Sequence, residues 1–96
     1  MTSININETT HGDEEPLEEP GVRYWMDQMR NRNPVPMPVI MRRTNGRFVV
    51  VDGRKRVEAA KRLGAQTVSA CVINELSRDR LLALRQALNR EHCQGN

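Results

Sequence analysis

Between Arg47 and Gly64 the chain changes its periodicity within two residues, and few folds accommodate such a change. Phe48, Val49, Val50 and Val51 form an unbroken apolar run, the pattern of a short strand buried on both faces. The run stops at Asp52-Gly53. From Arg54 to Leu63 the helix formers Ala, Glu, Lys, Arg and Leu dominate, Val57, Ala60 and Leu63 recur every third residue, and Gly64 supplies a left-handed stop, so a helix is predicted. Gly53 lets the backbone approach a ligand, and the free N–H groups of the first helical turn point outward at the positive end of the dipole. Arg54, Lys55 and Arg56 place three cations in that turn, where cations are unfavourable unless an anion joins them. Asp52, Gly53, Arg54, Lys55 and Arg56 are therefore the candidate phosphate-binding residues. The plainer alternative is a solvated basic patch after a tight turn.

The same stretch resembles the ParB/sulfiredoxin superfamily, in which a strand runs into Gly-x-[Arg/His]-Arg-x-x-Ala-x-x-x-x-Gly at the start of a helix. Met37-Pro-Val-Ile-Met-Arg-Arg43 is similar to the strand that precedes this box in ParB-like domains, and Ala87-Leu-Asn-Arg-Glu-His92 to a helix end bearing an Asn. The resemblance spans residues 36 to 92. It implies a small α+β domain that binds a nucleoside triphosphate, with the box turn on the phosphates and Asn89 helping to hold the accompanying magnesium. In ParB proteins the nucleotide is CTP, in sulfiredoxin it is ATP, and other relatives are described as nucleases or kinases. Two departures bear on chemistry. Arg54 stands where sulfiredoxin has its reactive Cys, so sulfinic acid reduction is not expected, and it also stands where partition proteins have a Glu used in CTP turnover. Lys55 replaces an Arg or His, keeping the charge while giving up bidentate geometry. For Asn89 the alternative reading is an Asn at a fraying helix end.

Charge is distributed unevenly. Residues 1 to 20 hold six of the 12 acids and no Lys or Arg, a charge of −6. All 15 basic residues lie beyond them with the other six acids, giving +9, and 13 of the 15 are Arg, the side chain suited to bidentate phosphate contact. Such a balance suggests nucleotide or nucleic acid as partner, although an Arg-rich face also serves solubility. Residues 1 to 20 have the composition of a disordered acidic arm, either a solubilising tail or an internal phosphate mimic. Residues 21 to 93 form the expected domain and 94 to 96 a tail. Cys71 and Cys93 read as free thiols, His92-Cys93 lacks a second pair for zinc, and no segment suits a membrane span, so a cytoplasmic protein is expected.

Along the chain, Val22, Trp25, Met26 and Met29 take helical spacing, a stripe for the core or for a dimer contact, with Gly21 as a start. The prolines from Asn33 to Pro38 enforce an extended approach to a strand. Val39–Arg43 and Arg47–Val51 flank Thr44-Asn45-Gly46, a hairpin signal that gathers Arg42, Arg43 and Arg47 as candidate DNA contacts, or as charges that keep an edge soluble. Thr67–Ile73 alternates as a strand, which after a strand and a helix normally returns parallel. Ser77 caps a last helix with Leu81, Leu84 and Leu88 inward and Arg78, Arg80, Arg85 and Arg90 outward. The expected fold is thus α+β, a mixed sheet of a hairpin plus strand-helix-strand with flanking helices.

Three functions fit this reading. The first is a ParB-like nucleotide-binding domain with magnesium, in a DNA-linked process such as plasmid, phage or transcriptional regulation, with at most weak NTPase activity. The second is an Arg-rich DNA-binding protein without nucleotide. The third is an interaction module that docks or forms a homodimer through the Val22–Met29 helix. A nuclease is disfavoured because no cluster of carboxylates for two metals is evident, and no helix-turn-helix is recognisable for reading an operator.

Overall fold

The computed structural model describes residues 2–10 and 17–91, with side chains to Leu88. In order, the elements are β1 (Thr2–Asn5), a 3-10 turn (Ile6–Glu8), β2 (Thr9–Thr10), α1 (Glu19–Arg30), β3 (Val39–Arg42), β4 (Phe48–Asp52), α2 (Arg54–Arg62), β5 (Thr67–Asn74) and α3 (Arg78–Glu91). The strands make one mixed sheet in the order β1-β5-β3-β4-β2.

The hairpin forms as the Asn-Gly turn requires: β3 and β4 pair antiparallel, and the Asn45 side chain accepts from the Arg47 N–H at 2.9 Å to fix the turn. β5 lies on the other side of β3 and runs parallel to it, hence antiparallel to β4. The expected parallel return from β4 therefore does not occur. Val39 pairs with both Asp52 and Cys71, so α2 leaves and β5 passes at the same end of the sheet. A nine-residue helix rises only about 14 Å and does not return the chain to the hairpin end.

Within the acidic arm expected over residues 1–20, residues 2–10 need a second correction, while residues 11–16 lie outside the described residues. β1 pairs antiparallel with the first half of β5, from Thr2 opposite Ala70 to Asn5 opposite Thr67. β2 runs parallel to the start of β4. Ile4 and Ile6 are buried in a core cluster with Ile40, Val50, Val57, Ala60 and Ala70. The acids cluster later, and their average over twenty residues hid two apolar side chains and a ladder of long-range hydrogen bonds. α1 likewise begins at Glu19 rather than Gly21, with Pro20 in its first turn, where a missing N–H costs nothing.

Helices occupy both faces. Val22, Trp25 and Ala59 join α1 to α2 on one side, while Leu81, Leu84 and Leu88 of α3 approach Met41, Val49 and Val51 on the other. The Val22–Met29 stripe thus packs toward the core, with Val22 and Trp25 buried and Met26 and Met29 partly so. Among the described residues no helix is long and apolar enough to cross a membrane.

Candidate functional site

β4 ends at Asp52, and α2 opens on Gly53 with φ 99°, in the left-handed region that favours glycine. A Cβ there would lie 2.9 Å from Pro38 Cβ and 3.1 Å from Arg56 Nη2, so space as well as torsion demands glycine. Among the described residues no side chain is seen to cap the helix, and no acid occupies its first turn. The positive end of the helix dipole therefore meets no acid of its own first turn.

The turn borders a cleft of about 250 Å³ lined by Arg54, Lys55, Arg56, Arg85, Leu17 and Trp25, with Val50 to Gly53 as its strand wall. All five residues expected at the phosphate site are therefore together. They are not equivalent. Arg56 is only 2% exposed, and its guanidinium donates to Asp52 Oδ2 at 2.8 Å and to the Pro36 carbonyl at 2.8 Å. It also stands 5.5 Å from the centre of the Trp25 ring, a cation–π contact that ties α1 to the turn. Its Nε is buried with no hydrogen-bond partner among the described residues. Arg56 therefore braces the turn from beneath, and Asp52 is its counter-charge.

Lys55 is half-buried and lies across α1. Its Nζ sits 3.7 Å from Glu18 Oε2, and a Cβ on Gly21 would come within 2.6 Å of its Cδ. Gly21 makes room for the lysine rather than starting the helix. At the far end of α2, Arg62 donates to both Glu19 oxygens at 2.6 and 2.7 Å and to Glu58 at 2.9 Å. Those bonds from Arg62 hold the Glu19 carboxyl below its ordinary range, and the two acids raise the Arg62 guanidinium above its own.

Arg85 is the residue that sequence reasoning missed, having placed it on the outer face of the last helix. It is half-buried and borders the cleft from α3. Its position depends on how α3 lies on the sheet, which helical spacing does not encode. Ser77 behaves as expected, its Oγ accepting from the Arg80 N–H at 3.4 Å. Asn89 is carried on α3, but its side chain lies outside the described residues, as do His92 and Cys93. Cys71 is a free thiol.

Arg42, Arg43 and Arg47 lie at the hairpin end of β4, roughly 20 Å of strand away from Gly53. Arg42 stacks 5.5 Å from the centre of the Phe48 ring, Arg43 pairs loosely with Glu75 at 3.9 Å, and Arg47 is exposed. The expected DNA contacts and the expected phosphate site are thus two separate places.

The model of the ParB N-terminal domain family matches residues 2–89. The chain belongs to that family. Three solved relatives share the fold. Caulobacter crescentus ParB complexed with CTP-γ-S aligns with a TM-score of 0.77 and 19% identity over 94% of this chain and 52% of that one. The same protein on its centromeric parS site gives 0.70 and 16%, over 98% and 49%. A Pnob8-like ParB N domain gives 0.71 and 20%, over 92% and 36%. An ATP-dependent L-serine kinase of Desulfurococcus mucosus is 33% identical over 67 residues, 68% of this chain and 26% of the kinase. The chain thus spans about half of the Caulobacter structures and about a quarter of the kinase, and identities near 20% speak to fold alone.

Proposed function

We propose that this ParB N-terminal domain binds the phosphates of a nucleoside triphosphate, CTP or ATP, at the β4–α2 turn, within a DNA-linked process such as plasmid, phage or transcriptional regulation. One observation carries the reading: α2 opens on a left-handed glycine with, among the described residues, neither side-chain cap nor acid in its first turn, and faces a cleft bordered by Arg54, Lys55 and Arg85. The sterically closed position at Gly53 suits a turn shaped for close approach to an anion. That one relative was solved with CTP-γ-S and another is an ATP-dependent kinase agrees with this ligand class.

In this reading the α2 N–H groups and Lys55 contact phosphate oxygens, Arg54 and Arg85 flank them, and the Asp52–Arg56 pair positions the turn. Magnesium would travel with the nucleotide and neutralise part of its charge, with Asn89 as the oxygen ligand that family resemblance nominates. Titration calorimetry with CTP, ATP, GTP and UTP, each with magnesium, tests the proposal. One nucleotide should saturate the site, and Lys55→Ala or Arg85→Ala should weaken it by roughly tenfold, as loss of a charged hydrogen bond does. No binding of any of the four at millimolar concentration sinks it. Arg56→Ala is a poor control, because it removes the brace along with any ligand contact.

The arginines at the hairpin end support a second reading, contact with DNA phosphates there. It predicts affinity for duplex DNA that falls steeply with salt and falls further in Arg47→Glu, with nucleotide binding untouched. Equal DNA affinity in wild type and Arg47→Glu would remove it.

A further inference from the structure

A second cavity, of about 640 Å³, opens between α3 and the hairpin end of the sheet and shares only Arg85 with the nucleotide cleft. Met41, Val49, Leu76 and Leu81 make its floor, and Leu82, 58% exposed, stands at its edge. Among the described residues, Arg43, Arg78 and Arg85 line it against a single acid, Glu75, whose contact with Arg43 is 3.9 Å long. α3 enters it by its first two turns, so the positive end of the helix dipole adds to the arginines, offset in part by Asp79. No α3 residue from Arg78 to Leu88 is buried.

Two chemistries thus meet in one groove, an apolar floor and a surplus of cations. A free phosphate or a duplex backbone would use the cations and leave the floor and Leu82 wet. A basic or purely apolar segment would leave the arginines opposed or unpaired. We infer that this groove is a docking surface for an acidic, leucine-bearing helical segment of a partner protein, with its apolar side on Met41, Leu76, Leu81 and Leu82 and its carboxylates on Arg43, Arg78 and Arg85. This is the helix-in-groove mode with charge complementarity at the rim. Because Arg85 borders both cavities, a saturating nucleotide should weaken the segment by a few-fold and the reverse by the same factor. That coupling rests on the nucleotide reading; the groove itself does not.

Fluorescence anisotropy with a labelled amphipathic peptide of about fourteen residues, glutamates on one face and leucines at i, i+3, i+4 and i+7 of the other, tests the surface. The expected result is saturable binding, weakened about tenfold by Arg78→Glu and about fivefold by Leu82→Asp, and about tenfold for a peptide of the same composition with shuffled leucines. Both substituted residues are exposed, and unchanged melting curves would confirm folded variants. No saturable binding, or equal binding of the shuffled peptide, overturns the inference. So does duplex DNA binding here that needs Arg78 but not Leu82, which would make the surface one for nucleic acid. Peptide binding indifferent to nucleotide, in a protein that calorimetry shows to bind nucleotide, removes only the coupling through Arg85.

Discussion

Helices α2 and α3 each combine an apolar stripe with an arginine-rich face, yet only α2 is sealed into the protein. Val57, Ala59, Ala60 and even the cation Arg56 are buried on α2, between α1 on one side and the sheet on the other. On α3 the leucines are only partly covered, and nothing among the described residues lies over its outer side. Side-chain size fits the contrast: small Ala59 and Ala60 face α1 and the sheet on α2, whereas α3 meets the sheet through larger, partly covered leucines. The helix that forms the candidate phosphate turn is thus fixed by its neighbours. The helix that lends Arg85 is held by the described residues on one side alone.

The sharpest way to break this comparison is to remove the counter-charge beneath the turn. Asp52→Ala leaves Arg56 buried without its carboxylate and should cost about 3–5 kcal/mol in chemical denaturation. The double variant Asp52→Leu with Arg56→Met should recover part of that loss, because an apolar pair of similar volume needs no charge partner. If the single variant loses less than about 1 kcal/mol, the pair is not the brace that its burial implies.

Glycine at the turn is the next largest effect. Gly53→Ala combines a strained positive φ with a clash against Pro38 and should cost roughly 2 kcal/mol, whereas Gly46→Ala, at φ 84° with nothing within 4 Å, should cost only the torsional part, roughly 1 kcal/mol. Equal losses at the two positions would show that the close approach at Gly53 is not rigid.

Comparing the helices directly gives a smaller difference of informative sign. Val57→Ala should destabilise by about 2 kcal/mol and Leu84→Ala by about 1 kcal/mol, although the leucine loses more carbon, because Val57 is 2% exposed and Leu84 is half-covered. Hydrogen exchange should show α3 opening well before α2. Equally slow amides on both helices would contradict the picture of a loosely held α3.

These expectations show which parts of the structure could be read from residues alone. The hairpin was legible because Asn45-Gly46 and two apolar runs carry a local code, and the turn at Gly53 because a buried-strand pattern and a helical pattern meet at one glycine. β1 was not, since a strand of four residues with one buried side chain is recognisable only from its partner, β5, more than sixty residues away. The division of labour among Arg54, Lys55 and Arg56 was equally hidden. Consecutive cations look alike in sequence, and only the positions of Asp52, Pro36 and Trp25 turn Arg56 inward. Arg85 entered the site for the same reason: the angle at which a helix crosses a sheet is a property of packing.

The smallest expected effect concerns what holds α1 against α2, a contact for which α3 has no counterpart among the described residues. Arg62 keeps the Glu19 carboxyl ionised below its ordinary value of 4.5. A carboxyl lowered in the folded state contributes stability that is present above its unfolded pKa and is lost as pH falls through the folded one. Arg62 stays charged throughout, so only the glutamate titrates. Wild type should therefore exceed Glu19→Gln in stability at pH 7 by a small margin, the margin should shrink as pH falls below the ordinary carboxylate range, and added salt should narrow it because the pair is at the surface. Thermal melts of both proteins from pH 7 to pH 3 measure this. A gap that does not shrink at all as pH falls would mean that Glu19 acts through packing or hydrogen bonds that glutamine disturbs, and that α1 is held on α2 by Val22, Trp25 and Ala59 without help from charge.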